Sequence, residues 1–456
     1  MSDAPVEAPP SVRLDMPKQT GGRLLSLDVF RGITIAGMIL VNNPGSWGRI
    51  YAPLGHAKWN GWTPTDLVFP SFLFIVGVAM TFSFDRRSAD GAARSRLLGH
   101  VIRRTLILFG LGMIMYSFPD WRLMAPYLLT IAGLWLLFRQ EPPLSWPAES
   151  SSRLLKIMAW VVLGAAVVWF AADFAYFQVP HPPATPKTAP LRVPGVLQRI
   201  AVCYFLVAMM MMYLGVRGRA VLTAGILLGY WWIIKHPWAI TVPEVYPAGA
   251  RPEGILHFWL DAKLLGAHVY SDLPDPEGIL STLGGVCTCL LGVLTGTWLR
   301  SRRNDADKLI GLFFVANLLM VAGLWMNYSV PINKKIWTSS YVLLAGGIAM
   351  HVLAMCYWLI DVKGWRRWSA PFMVFGTNAI LVYFASGIVG RLLGFYTFGV
   401  DAPSLRAWLY AKGFAAHFSE TGYGPYNASL AFALAYVLFW LIVLIPLYRR
   451  RIFLKV

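Results

Sequence analysis

LLSLDVFRGITIAGMILV (24–41) and DLVFPSFLFIVGVAMTFSF (66–84) are two apolar runs separated by a short polar stretch. Each is long enough, as a helix, to cross a hydrocarbon core of roughly 30 Å. Apolar runs of similar length recur outward from this pair, near 103–118, 124–138, 157–174, 196–214, 220–235, 279–299, 308–327, 337–359, 371–389 and 427–447. In lipid the backbone must satisfy its own hydrogen bonds, and runs of this length and number do so as helices. The expected fold class is all-α, a polytopic integral membrane helical bundle of about 12 transmembrane helices. The third and fourth runs are short enough to form one re-entrant pair.

Composition points the same way. Of 456 residues, 57% are hydrophobic and only 14% charged, against roughly a quarter charged in soluble domains. The 20 Trp and 19 Tyr suit the aromatic belts of spanning helices. The formal net charge of +18 does not indicate nucleic acid, because no basic groove with interleaved aromatics stands outside the spans. The Lys and Arg residues instead cluster in short tracts. Arg13, Lys18 and Arg23 precede the first span, and Arg86, Arg87, Arg94, Arg96, Arg103 and Arg104 follow the second. Arg217 and Arg219, then Arg300, Arg302, Arg303 and Lys308, then Lys363, Arg366 and Arg367 follow later spans, and Arg449, Arg450 and Arg451 close the chain. By the positive-inside rule both termini are expected in the cytoplasm, with loops 42–65, 175–195, 236–278, 328–336 and 390–426 on the far side. Residues 1–22, Pro-rich and without an apolar run, read as a disordered cytoplasmic tail, and 23–456 as one transmembrane domain.

Segment 42–70, NNPGSWGRIYAPLGHAKWNGWTPTDLVFP, concentrates groups able to do chemistry. His56 stands between Gly55 and Ala57, near Trp59, Asn60 and Asp66. An imidazole can take and return a proton near neutrality or act as a nucleophile. The plainer reading is an interfacial loop anchored by its tryptophans. Further polar residues stand where lipid disfavours them: Asp28 and Arg31 on one helix face, Gln198 and Arg199, Glu277 in DPEG, Lys334 and Trp337 in PINKKIWTSSY, and Asn378 inside the eleventh run. Such residues are either functional or pair helices together. His268, on the outer loop that ends in DPEG, is a further candidate. The four cysteines lie inside apolar runs and read as packing residues, so no disulfide or metal site is expected. No phosphate-binding glycine loop, HExxH or GxSxG occurs.

Six stretches carry a resemblance: RLLSLDVFRGITIAGMILVNNPG (23–45), HAKWNGWTPTDLVFPSFLFIVG (56–77), RVPGVLQRIAVCYF (192–205), DPEGILSTLGGVCTCLLGVLTG (275–296), PINKKIWTSSYVL (331–343) and FGTNAILVY (375–383). In this order they resemble the transmembrane heparan-alpha-glucosaminide N-acetyltransferase family and its bacterial members. The ending RRRIFLKV is similar too. The resemblance implies an acyltransferase that moves an acetyl group from cytosolic acetyl-CoA to the amino group of a glucosamine-type sugar on the far side. It makes His56 the catalytic residue and puts Asn42 beside it. The remaining candidates (Asp28, Arg31, Trp59, Asn60, Asp66, Gln198, Arg199, His268, Glu277, Lys334, Trp337 and Asn378) would then bind substrate or CoA, and a polar passage lined by Asp28, Arg31, Arg199 and Asn378 would admit the donor. Acetyl-CoA is the implied co-substrate, with no metal. The implied setting is a bacterial inner membrane, the active loop facing the periplasm, with a homodimer compatible. Region 119–190 departs from the family as an inserted helical pair. A transporter or flippase for glycans or lipid-linked sugars, or an O-acyltransferase of envelope glycans, are the alternative readings.

Overall fold

The computed structural model describes residues 24–89, 94–120, 192–236, 255–269, 274–399 and 402–454, with short pieces between 124 and 172. Helices dominate, and no strand occurs among the described residues. They are α1 (Leu25–Asn42), α2 (Val68–Ala89), α3 (Arg94–Ser117), α4 (Val196–Tyr213), α5 (Val216–Lys235), α6 (Ile255–Leu265), α7 (Thr282–Leu299), α8 (Asp305–Met326), α9 (Ser339–Cys356), α10 (Ala370–Thr377), α11 (Ala379–Phe395), α12 (Leu405–Gly413) and α13 (Gly424–Arg449). The chain is an all-α, multi-pass membrane protein. Among the described residues eight helices are long and apolar enough to span, or nine if α10 with α11 is one broken span.

The smaller number has physical reasons. The expected spans 124–138 and 157–174, and most of the inserted region 119–190, lie outside the described residues, as does the tail 1–22. The expected run 220–235 is helical as α5, but Arg217 and Arg219 in its first turn lower its hydropathy. The run 371–389 is not one straight helix, because Asn378 breaks it and the two parts meet at 72°. The third span is not short; it continues back to Arg94 as a helix of 24 residues. Loops 236–278 and 390–426 contain the short helices α6 and α12.

Two kinds of helix result. α7 is the most deeply buried and carries Gly, Thr and Cys along its length, whereas α8 is the least buried. α8 turns Ile310, Phe314, Leu318, Val321 and Trp325 outward, a spacing that gives one helix face. That face needs lipid. Small residues let the central backbones approach closely, as membrane helices require where no hydrophobic force drives them together. A Cβ on Gly292 of α7 would lie 2.1 Å from the Phe74 carbonyl oxygen of α2, and one on Gly77 would lie 1.9 Å from that of Cys289. α1 crosses α10 in the same way, where a Cβ on Gly376 would lie 1.9 Å from the Asp28 oxygen. The basic turns around Arg217, Arg300, Lys363 and Arg449 fall at one end of the bundle; the C-terminus of α1 and the N-termini of α2, α7 and α9 fall at the other. Gly292→Val is expected to destabilise the protein by about 3 kcal/mol by forcing α2 and α7 apart. Gly225→Ala, on an open face of α5, should be neutral or stabilising by up to about 1 kcal/mol. Thermal unfolding in detergent compares them, and equal melting temperatures would contradict this packing.

Candidate active site

Thr63 and Pro64 start the turn that builds the site. Pro64 occupies the first position of a short 3-10 helix, Pro64–Leu67, that leads into α2, and Thr63 with Asp66 forms a capping box. The motif satisfies backbone N–H groups that would otherwise be orphaned, and a carboxylate is favourable at a helix start. Asp66 Oδ2 accepts from the backbone N–H of Thr63 and of Ala57, each at 3.0 Å. Its Oδ1 lies 2.7 Å from His56 Nδ1 and 3.3 Å from Lys334 Nζ. The Asp66 side chain is 1% exposed and that of His56 is 48% exposed.

This geometry assigns the imidazole tautomer. A carboxylate oxygen at 2.7 Å accepts the Nδ1 proton, which leaves the Nε2 lone pair on the open side of the ring. The same Asp–His relation prepares a base or nucleophile in other enzymes. Lys334 Nζ, 3.0 Å from His56 Nδ1, directs its hydrogens at Asp66. Burial holds Lys334 below the ordinary lysine range although Asp66 pulls upward. The lysine thus stands next to the imidazole in a largely dry setting.

The 327–338 loop that carries Lys334 is sewn to the His56 loop. Asn333 Nδ2 donates to Asn60 Oδ1 at 3.1 Å and Gly61 N donates to Ile332 O at 2.8 Å. Gly61 has φ +95°, a conformation that side chains resist. Trp337 is buried with φ 52°, an unusual backbone for a bulky residue that needs its surroundings to hold it. Its Nε1 donates to Thr288 of α7 at 3.1 Å, and Phe69 and Tyr341 meet its ring edge-on. The Arg199 guanidinium lies 4.9 Å over the same ring. Trp59 stands near Lys335, whose Nζ is 5.8 Å from its ring centre.

The other predicted residues divide into two groups. Glu277 belongs to the His56 end, bound to Arg192 at 2.6 Å, while Arg192 also grips Asp275 at 2.7 Å. His268 is buried after α6, its carbonyl accepting from Val193 N. Gln198 packs against α3 at Gly112 and Met113. Asn42 ends α1 exposed, and among the described residues no hydrogen bond joins it to His56. Asp28, Arg31 and Asn378 are elsewhere. Asp28 and Arg31 pair at 3.0 Å beside Gly376, and the helix rise puts Asp28 about 21 Å along α1 from Asn42. Asn378 donates to Ile452 O and accepts from Leu454 N, both at 3.0 Å, tying down the C-terminal tail. Sequence reading missed Arg192 and Asp261. A signal for the second existed: His257 and Asp261 stand four apart in ILHFWLDAKLL, on one helix face.

Residues 23–121 match the family profile described as Heparan-alpha-glucosaminide N-acetyltransferase, catalytic. This chain is 28% identical over 411 residues to the human heparan-alpha-glucosaminide N-acetyltransferase, a match that covers 79% of this chain. It is 27% identical over 397 residues to the mouse protein of that name, covering 80% of this chain. The chain is similar to this family over most of its length. It spans about half the length of these curated relatives, 52% and 53%. The matched family region contains both His56 and Asp66. Among the described residues no cluster of metal-ligating side chains occurs.

Asp261 supplies a test of the buried polar end. Burial pushes its carboxyl up to about 6, against the Ile279 N–H that it accepts from. Between pH 3.8, its free value, and about 6, the folded protein holds a proton that the unfolded chain has released. Stability should therefore fall as pH rises through that window and level off above it. Asp261→Asn should flatten this part of the melting-temperature profile; an unchanged slope would remove Asp261 as its source.

Proposed function

We propose that the chain is a transmembrane N-acetyltransferase that moves an acetyl group from acetyl-CoA to the amine of a glucosamine-type sugar. The observation that carries the reading is His56, held through Nδ1 by a buried Asp66, with Nε2 outward and Lys334 alongside. The relatives' printed name supports the reaction class and the amino-sugar acceptor. The basic end of the bundle is cytoplasmic by the positive-inside rule, so His56 faces the far side.

In this reading His56 Nε2 removes a proton from the sugar ammonium. The freed amine attacks the thioester carbonyl, the C–N bond forms, and the carbonyl electrons move to oxygen. The tetrahedral intermediate then expels the CoA thiolate, which takes the proton from the imidazolium, and the new amide nitrogen releases its remaining extra proton through Nε2 to water. Asp66 stabilises that imidazolium while it exists. The Lys334 ammonium is the better partner for the oxyanion than Asn42, because it already lies against His56 and is largely buried, where a charge acts strongly. Transfer through an acyl-imidazole is the second route. Direct attack fits a half-exposed imidazole better, since water would hydrolyse the acylated ring.

Purified protein, labelled acetyl-CoA and glucosamine give the test. His56→Ala should lower transfer by at least about 10³-fold, within the range of a lost general base. Asp66→Asn and Lys334→Met should each lower it by roughly 10²-fold or more. All three should still purify as folded membrane protein. Undiminished transfer by His56→Ala would end this mechanism.

A further inference from the structure

The DPEGILS turn (275–281) that leads into α7 is gripped on several sides, and two of the gripping side chains are incompletely used. Asp261 is 1% exposed; its Oδ1 accepts from Ile279 N at 2.9 Å, while Oδ2 has no partner. Arg199 is 2% exposed; its Nη2 donates to Gly278 O at 3.1 Å and to Ser281 Oγ, while Nε and Nη1 have no partner. Both groups touch Gly278, where an added Cβ would lie 2.1 Å from Asp261 Oδ2. No ion pair joins them. A buried acceptor and two buried donors of opposite charge thus flank one glycine without meeting each other, an arrangement native proteins normally avoid.

Arg199 connects this pair to the loop that carries Lys334. Arg199 stacks on Trp337, three residues beyond Lys334, and its charge is felt at Lys334. We propose that Asp261 and Arg199 form a reactant-binding recess beside His56 for a group that carries a hydrogen-bond donor next to an acceptor oxygen. The donor goes to Asp261 Oδ2 and the oxygen accepts from Arg199 Nε and Nη1. Vicinal hydroxyls of the amino sugar have this chemistry, and so does an amide of the pantetheine arm. Gly278 lets Asp261 come this close to the turn, since a Cβ there would lie 2.1 Å from Oδ2. The recess deepens the proposed function and rests on it: neither residue touches the reacting atoms, and both set which reactant is held and where.

The experiment uses the full chain in detergent, with Asp261→Asn, Arg199→Lys and Gly278→Ala. It measures KM and kcat for glucosamine and direct calorimetric binding of CoA, with melting temperatures recorded alongside. If the sugar hydroxyls are the ligand, the glucosamine KM rises roughly 10-fold or more while kcat stays within about 2-fold and CoA binding is unchanged. Single-deoxy glucosamines should then lose their disadvantage in Asp261→Asn. If the pantetheine amide is the ligand, CoA binding weakens by a similar factor and the glucosamine KM is unchanged. Either split supports the recess. Variants that shift only the melting temperature, with KM and CoA binding both as in the parent, would show a water-bridged structural cluster and overturn it. A parent protein that binds CoA but acetylates no amino sugar would overturn the proposed function instead, and the calorimetric arm still reads the recess separately.

Discussion

A carboxylate sealed from solvent organises the His56 end of the molecule. Removing Asp66 from water is expensive unless each lone pair finds a donor, and the chain supplies those donors from three places. Thr63 and Ala57 give backbone N–H groups from the loop, His56 gives its ring N–H, and Lys334 gives its Nζ hydrogens from 268 residues away in sequence. The Asp66 backbone oxygen also accepts from the Tyr341 hydroxyl of α9. One residue therefore fixes the start of α2, the fold of the preceding loop, the approach of the 327–338 loop and the orientation of the imidazole. The two loops have few alternatives once that carboxylate is buried.

That arrangement is held steady by the helices beneath it. α2 and α7 meet through Gly77, Gly292 and Gly296 with backbones in contact, so their N-terminal ends cannot drift apart. α2 begins at Asp66's turn and α7 begins at the Asp275–Ser281 turn, so a rigid seam between them sets the distance between the His56 loop and the acidic turn. Arg192 then locks the acidic turn by gripping Asp275 and Glu277 together. The peripheral helices contribute differently: α8 and α13 present large apolar side chains outward and leave the polar work to the centre.

Much of this was readable from the residues. The spans announce themselves by length and apolarity, and His56 with Asp66 could be picked out because they share one short polar loop. Their partnership could not, because it depends on Thr63 and Pro64 turning Asp66 back toward Ala57. Lys334 was a candidate only as a cation in an apolar setting; its place beside His56 is a long-range contact that no local pattern encodes. Asn378 is a different case. A polar residue inside an apolar run suggested a passage lining, yet its amide breaks the helix and clasps Ile452 and Leu454. Asp261 escaped notice because α6 is short and sits in a stretch whose Pro and Gly content reads as loop.

The polar residues expected to line one passage occupy two ends. Arg199 is at the His56 end, while Asp28, Arg31 and Asn378 lie at the basic end, about 21 Å away along α1. Between them the central hydroxyls turn inward on their own helices: Thr34 donates to Phe30 O, Thr288 to Gly284 O and Thr295 to Leu291 O. Backbone-to-backbone packing at Gly77 and Gly292 closes the seam between α2 and α7. Under the proposed function this favours a division of the donor. Its phosphates would stay among the arginines of the basic end, and only a thin, neutral arm would traverse the apolar middle to bring the thioester up to His56. Moving an uncharged arm through such a region avoids the desolvation that moving phosphates would require.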